Sequence, residues 1–225
     1  MKQIMVAGNW KSNKTVEEGK KWIEEFRVLS SKFKVTENVK IILCVPFTLL
    51  FPLKELITTY KLPLELGAQD VSPYGEGAYT GEVNGKQIKE LAEWVIIGHS
   101  ERRQHFGETD TVLREKVNQA KISQLKIIYC VPDAKTMVPK TVDIVAYEPV
   151  WAIGTGKTDT PENANAITET IKNQTNVTDV IYGGSIKPDN VSSFVSQPAI
   201  DGVLPGGASL SAASFSQLIV HATNT

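Results

Sequence analysis

The chain has 225 residues and a formal net charge of −1 at pH 7, from 24 lysines and arginines against 25 aspartates and glutamates. Because the two signs are interspersed, the sequence predicts no nucleic-acid-binding stripe, no basic membrane-binding face and no acidic tail. The start MKQIMVAGNWK has no apolar stretch long enough for a signal peptide or a membrane span. Both cysteines lie in apolar runs typical of buried thiols, so we expect a cytoplasmic protein.

Short β-branched runs alternate with longer amphipathic segments along the whole chain, without a Ser/Pro-rich linker. Eight of these runs are predicted strands: Gln3 to Ala7, Lys40 to Val45, Leu64 to Ala68, Trp94 to Ile97, Lys126 to Cys130, Ile144 to Tyr147, Val180 to Tyr182 and Gly202 to Leu204. Eight parallel strands alternating with helices close a barrel. We therefore expect the α/β class, with residues 1–225 forming a single (β/α)8 barrel domain.

Helix starts are indicated by capping side chains and by proline at the first helical position. The predicted starts are Thr15, Asp110, Thr160-Pro161, Pro188-Asp189 and Ser211. Each follows a predicted strand, as the βα rhythm requires.

Polar residues and glycines follow five of the predicted strands. These segments are Gly8-Asn9-Trp10-Lys11, Gly98-His99-Ser100-Glu101, Glu148-Pro149, Gly183-Gly184-Ser185 and Pro205-Gly206-Gly207-Ala208-Ser209. In a barrel the carboxyl ends of all strands share one rim, so these segments converge. The sequence therefore predicts a functional site at that rim.

The two glycine pairs of the last strands suit an anion. Glycines let bare backbone N–H groups approach a ligand closely, and Gly206-Gly207 precede a helical segment whose dipole favours negative charge. A single glycine pair is usually only a tight turn. Two pairs after consecutive strands indicate phosphate, because phosphate sites of barrels commonly lie there.

Six stretches, in order along nearly the whole chain, resemble the triosephosphate isomerase family: GNWKSN at Gly8, GAYTGE at Gly77, IIGHSERR at Ile96, AYEPVWAIGTGK at Ala146, YGGSI at Tyr182 and DGVLPGGASL at Asp201. The resemblance implies a TIM barrel that interconverts dihydroxyacetone phosphate and D-glyceraldehyde 3-phosphate through an enediolate, in glycolysis and gluconeogenesis. It also implies that no metal and no organic cofactor takes part.

The resemblance assigns five catalytic residues. Glu148 is implied to be the base that removes the proton beside the carbonyl, and His99 to be the neutral electrophile at a helix N-terminus. Lys11 is implied to neutralise the enediolate and the phosphate, with Asn9 supporting it and Glu101 pairing with it. From the residues alone, Glu148 could equally be a strand-end ion pair, His99 a structural histidine and Lys11 a surface lysine.

The stretch after Glu148 combines apolar side chains with flanking proline and glycines. The resemblance implies a lid with tip residues Val150, Trp151, Ala152 and Ile153 and with hinges at Pro149 and at Gly154 to Lys157. It also implies a latch formed by Tyr182 and Ser185, and a phosphate cradle formed by Gly154, Ser185, Gly206 and Gly207. The alternative is a hydrophobic core segment, against which the flanking proline and glycines count.

The segment from Asp70 to Gly85 is too long for a usual βα connection. The resemblance implies that this loop inserts into a neighbouring subunit, with Thr80 reaching furthest. A mobile surface loop is the alternative, but Tyr74 and Tyr79 favour docking. We expect at least a homodimer.

Two features depart from the family pattern. Only 17 residues separate Cys130 from Glu148 and the link from Gln174 to Asp179 is short, so we expect trimmed helical connections after strands 5 and 6. Pro205 stands where the family usually has valine, which predicts a reshaped loop with the anion site retained. A barrel that binds phosphate without turnover, or one that isomerises another sugar phosphate, are the remaining alternatives.

Overall fold

The structure, a computed structural model, describes residues 2–32, 38–150, 159–175 and 177–223. Within them eight strands form a closed, all-parallel barrel in sequential order. The strands are β1 Ile4–Asn9, β2 Val39–Val45, β3 Glu65–Ala68, β4 Trp94–Ile97, β5 Lys126–Val131, β6 Ile144–Tyr147, β7 Val180–Tyr182 and β8 Gly202–Val203. The predicted (β/α)8 barrel is confirmed.

Helices connect these strands on the outside of the barrel. They are α1 Val16–Ser30, α2 Phe47–Tyr60, α3 Gly85–Lys89, α4 Ser100–His105, α5 Asp110–Ile122, α6 Pro161–Thr175, α7 Val191–Val195 and α8 Ala212–Thr223, with a 3₁₀ turn at Gly207–Ser209. None of the described helices is long and apolar enough to cross a membrane.

The barrel closes through the pairing of β1 with β8. Met5 lies opposite Gly202 and Val6 opposite Val203, while the other edge of β1 pairs with β2 as far as Asn9 opposite Cys44. The predicted first strand stopped at Ala7, but the ladder continues for two further residues. Asn9 is therefore held by sheet hydrogen bonds, which fixes the side chain at the rim.

Side chains alternate between the two faces of each strand and so form two cores. One core fills the barrel interior: Met5, Ala7, Ile42, Cys44, Trp94, Ile96, Ile128, Cys130, Ile144, Ala146, Ile181 and Leu204. The other packs the outer strand faces against the helices. Both cysteines are buried and unbridged, and burial raises the pKa of Cys44 to about 12, so this thiol stays protonated.

An aromatic cluster fixes the end of β1 relative to the last turn of the barrel. The Trp22 ring lies 5.3 Å from Trp10 and 5.8 Å from Phe215 between centroids. The indole N–H groups of Trp10 and Trp22 both donate to the carbonyl of Ser209, at 3.0 and 3.1 Å. The loop that carries Lys11 is thereby tied to the turn that follows β8.

Two predicted helix starts are wrong by a few residues. α5 is capped by Thr109, whose hydroxyl accepts from Val112 N, so Asp110 is the first helical residue and does not precede the helix. α7 begins at Val191 and not at Pro188-Asp189, because the Asn190 side chain accepts from Lys187 N at 2.8 Å and closes a turn ahead of the helix. The starts after Thr15, Thr160 and Ser211 agree with the structure.

The connection after β5 is short, as expected. Between Val131 and Ile144 the chain forms turns and no helix, and the Asp133 carboxylate closes one turn by accepting from Lys135 N and Thr136 N. After β6 the helix itself is long, since α6 has 15 residues.

Candidate active site

A cavity of about 540 Å³ opens at the carboxyl ends of the strands. Residues from five strand ends line it, among them Asn9 and Lys11, His99, Glu148, Gly183 to Ser185, and Gly206 and Gly207. The convergence predicted from the sequence is therefore present in the structure. In the described residues no group of three or more His, Cys, Asp or Glu side chains is arranged to hold a metal ion.

Glu148 lies at the end of β6 and is 2% exposed. One carboxylate oxygen is 3.0 Å from His99 Nε2, and the other accepts from the backbone N–H of Ser100 at 2.9 Å. Cys130 lies near this carboxylate, and burial together with the charge of Glu148 raises the pKa of the Cys130 thiol well above its usual range. The carboxylate thus sits out of water among directed donors.

The hydrogen bonds of His99 define which nitrogen carries the proton. His99 caps α4, and its Nδ1 accepts from Glu101 N at 3.2 Å. A ring nitrogen that accepts is unprotonated, so the proton of a neutral imidazole is on Nε2 and points toward Glu148. His99 therefore directs its Nε2 toward Glu148 at the centre of the rim.

Lys11 lies in the left-handed region at φ 52°, where residues other than glycine are uncommon. Its backbone N–H donates to Asn9 Oδ1 at 2.9 Å, and its Nζ is 2.5 Å from Glu101 Oε1. Strained backbone of this kind persists only where the surroundings enforce it. The predicted pair of Lys11 and Glu101 is present, with Asn9 supporting the lysine backbone.

Gln69 was missed by the sequence analysis. Gln69 lies directly after β3, and its amide donates to Asn9 Oδ1 at 3.2 Å and to the carbonyl of Lys11 at 2.9 Å. These two hydrogen bonds fix the loop that carries Lys11. The sequence signal that could have identified Gln69 is its position one residue after a predicted strand. Ser100 N was also missed as a partner of Glu148, because a backbone donor leaves no mark in a sequence pattern.

Two glycines at the rim are approached closely by functional side chains. A Cβ at Gly183 would lie 2.9 Å from Glu148 Cγ, too close for real carbon atoms. A Cβ at Gly206 would lie 3.1 Å from Lys11 Cε. These glycines therefore leave room for the Glu148 and Lys11 side chains.

Backbone groups line the glycine-rich end of the cavity. Ser185, Gly206 and Gly207 all line it, and Gly207 begins the 3₁₀ turn Gly207–Ser209. The first N–H groups of such a turn have no acceptor within it. Pro205 leaves this arrangement in place, and its carbonyl accepts from Asn9 N at 2.9 Å.

Of the predicted lid, Trp151, Ala152, Ile153 and Gly154 lie outside the described residues. Val150 is 55% exposed next to Pro149. At the far end of this stretch, Asp159 N donates to the Tyr182 hydroxyl at 3.1 Å. Tyr182 is fully buried and stacked on Phe194 at 4.4 Å, and burial raises the pKa of its hydroxyl to about 12.

The long loop from Asp70 to Gly85 is held by contacts of its own. Ser72 N donates to the carbonyl of Val83 at 2.9 Å, and the rings of Tyr74 and Tyr79 stack at 4.3 Å. Both tyrosines remain exposed. The loop thus presents a flat aromatic surface to its surroundings.

Fold and cavity together define a barrel enzyme whose site suits a small anionic substrate. Residues 4–222 match the family model described as triosephosphate isomerase, and the chain belongs to that family. It is 40% identical to the triosephosphate isomerase of Nostoc sp. (strain PCC 7120), with 97% of this chain and 99% of that protein covered. It is 39% identical to that of Gloeobacter violaceus, with 97% and 98% covered, and 37% identical to that of Dehalococcoides mccartyi, with 96% and 94% covered.

Proposed function

We propose that this chain interconverts dihydroxyacetone phosphate and D-glyceraldehyde 3-phosphate by proton transfer, with Glu148 as the base. The observation that carries the proposal is the buried Glu148 carboxylate 3.0 Å from His99 Nε2, at the mouth of a cavity that ends in phosphate-suited glycines. Membership of the triosephosphate isomerase family supports the same reaction.

Glu148 removes the proton from the carbon beside the carbonyl. Its low exposure places the carboxylate out of bulk water, at the mouth of the cavity where the substrate binds. To reach substrate it exchanges its contacts with Ser100 and His99 for the reacting C–H bond. The abstracted proton returns to the neighbouring carbon, which converts the ketose to the aldose.

His99 and Lys11 stabilise the negative charge that develops on oxygen. The neutral His99 donates from Nε2 to the carbonyl oxygen and moves a proton between the two oxygens of the enediolate. Lys11 supplies positive charge to the enediolate and the phosphate, with Glu101 holding its ammonium and Asn9 its backbone. In a cavity that excludes water these Coulomb interactions are stronger than in bulk solvent.

Backbone N–H groups of Gly206, Gly207, Ser185 and Gly154 bind the phosphate. A lid closes over the phosphate, and Tyr182 latches the closed form. The lid consists of Pro149, Val150, Trp151, Ala152 and Ile153. Exclusion of water protects the enediolate from loss of phosphate. The contact of Asp159 N with Tyr182 supports a latch at this place.

We further propose that residues 1–225 form one barrel domain, that the protein acts in the cytoplasm, and that it assembles at least as a homodimer through the loop carrying Thr80. The exposed stacked pair Tyr74 and Tyr79 supports an interface on this loop. Large exposed aromatic surface of this kind is enriched at protein–protein contacts.

The proposal is tested by the initial rate of the purified chain on D-glyceraldehyde 3-phosphate, followed as dihydroxyacetone phosphate formation. The same protein is assayed in parallel on ribose 5-phosphate and glucose 6-phosphate, which are larger aldose phosphates. Turnover of the triose alone is the expected result. Phosphate binding without turnover, or a preference for a larger sugar, contradicts the proposal.

His99→Ala is expected to lower kcat by roughly 10²-fold, because it removes the donor aimed at the carbonyl oxygen. The barrel should remain folded, as judged by far-ultraviolet circular dichroism. His105→Ala is the matched control, since His105 is exposed on the same helix, and it should leave kcat unchanged. Equal rates for the His99 variant and the parent would rule out the electrophilic role.

A further inference from the structure

Asn190 precedes α7, and its side chain holds the loop before the helix instead of the helix itself. Asparagine is favoured as a helix N-cap, yet the Asn190 side chain makes no capping hydrogen bond to the first turn of α7. Its Oδ1 accepts from Lys187 N at 2.8 Å, and its Nδ2 donates to the carbonyl of Ser185 at 3.2 Å. The amide thus bridges the two ends of the segment from Ser185 to Lys187.

The bridged segment forms part of the cavity wall. Ser185, Ile186 and Lys187 line the cavity together with the two glycines that follow β8. A carbonyl oxygen carries partial negative charge and repels a phosphate, so a loop that binds phosphate must direct N–H groups toward the anion and hold its carbonyls elsewhere. Asn190 is not among the described residues that line the cavity. Its amide therefore holds the carbonyl of Ser185 on a partner outside the cavity wall.

Asn190 is attached to a well-packed helix. α7 buries Val191, Phe194 and Val195, and the Phe194 ring stacks on that of Tyr182 at 4.4 Å between centroids. Close packing of this kind restricts the motion of the element that carries the side chains. The Asn190 amide therefore ties the bridged segment to a fixed part of the fold.

We infer that Asn190 is a positioning residue for Ser185 in the phosphate site. Its amide fixes the path of the backbone from Ser185 to Lys187, so that the Ser185 N–H keeps the place from which it binds phosphate. Asn190 acts only through this segment, because it does not line the cavity itself. The inference rests on the proposed function, which assigns phosphate binding to Ser185, and names the residue that shapes this part of the site.

Loss of the bridge is expected to weaken substrate binding and to leave the chemical step nearly unchanged. The phosphate does not react, so its contacts are alike in the bound substrate and in the transition state. Loss of such uniform binding raises KM without lowering kcat. Among the hydrogen bonds of the described residues, none joins the Asn190 side chain to Glu148, His99 or Lys11.

The test compares steady-state isomerisation with the binding of glycerol 3-phosphate, measured by calorimetry. Asn190→Ala removes the amide. It is expected to raise KM for D-glyceraldehyde 3-phosphate and the Kd of glycerol 3-phosphate roughly fivefold each, with kcat within about twofold of the parent. Asn190→Ser should give the same result, because it also removes the amide but keeps a residue well suited to precede a helix.

Ser193→Ala is the matched control, because the Ser193 hydroxyl donates to the Asn190 carbonyl at 2.7 Å, on the helix side of the bridge. It should leave KM and Kd within about twofold, as should Asn173→Ala at an exposed position of α6. Unchanged KM and Kd in the Asn190 variants, a loss confined to kcat, or an equal effect of Ser193→Ala each overturn the inference. A parent that binds glycerol 3-phosphate without turnover contradicts the proposed function, while the Kd values still decide this inference. A parent that does not bind glycerol 3-phosphate contradicts both.

Discussion

Glu148→Gln is expected to reduce kcat by roughly 10³-fold, because an amide cannot take up the proton of the substrate. The substitution keeps the size of the side chain, and the amide oxygen can still accept from Ser100 N. Binding should therefore survive. The affinity for glycerol 3-phosphate, which carries the phosphate but has no carbonyl and cannot react, is expected to stay within about threefold of the parent as measured by calorimetry.

The matched control is Glu162→Gln, on an exposed glutamate in the first turn of α6. It changes the net charge equally and should leave kcat unchanged. Equal loss of turnover and of glycerol 3-phosphate binding in Glu148→Gln would contradict the assignment of the base, because it would indicate a collapsed cavity.

Lys11→Met is expected to lower kcat/KM by roughly 10³-fold, which corresponds to about 4 kcal/mol of transition-state stabilisation. The methionine keeps the length of the stem but removes the ammonium that neutralises charge on the enediolate and the phosphate. It also leaves Glu101 without the partner it has at 2.5 Å. Both kcat and KM should worsen, since the same charge acts on the phosphate and on the reacting oxygens.

Lys20→Met is the control for this change, because Lys20 is exposed on α1. It should leave both constants within about twofold, the usual range for an exposed side chain away from a site. A Lys11→Met protein that loses only affinity, with kcat retained, would limit Lys11 to phosphate binding and remove it from the chemical step.

The barrel could be predicted because the alternation of short β-branched runs with longer amphipathic segments, and the number of such runs, constrain the fold strongly. Three strands begin and end at the predicted residues: Trp94–Ile97, Ile144–Tyr147 and Val180–Tyr182. The misses lie where one side chain or a backbone ladder, and not a periodic pattern, decides the boundary. Asn190 closes a turn that delays α7, and the β1–β2 ladder extends through Gly8 and Asn9, which composition alone favours as loop.

The residues that form the site could be predicted from the sequence, whereas many of the hydrogen bonds between them could not. The predicted catalytic residues converge because the carboxyl ends of all barrel strands share one rim. They are Glu148, His99, Lys11, Asn9 and Glu101. The contacts of Gln69 and of the Ser100 N–H depend on the register and pitch of neighbouring strands, which a single sequence does not encode as a motif.

The central claim is that a carboxylate moves a proton between two carbons, and isomerisation in D₂O tests it most directly. D-glyceraldehyde 3-phosphate is converted in D₂O and the dihydroxyacetone phosphate is analysed by proton nuclear magnetic resonance for deuterium on carbon. The account predicts deuterium at the carbon beside the carbonyl in product formed by the parent, since the proton held by Glu148 exchanges with solvent, and little product from Glu148→Gln. Product that forms rapidly and carries no solvent deuterium on carbon, as hydride transfer would give, contradicts the account.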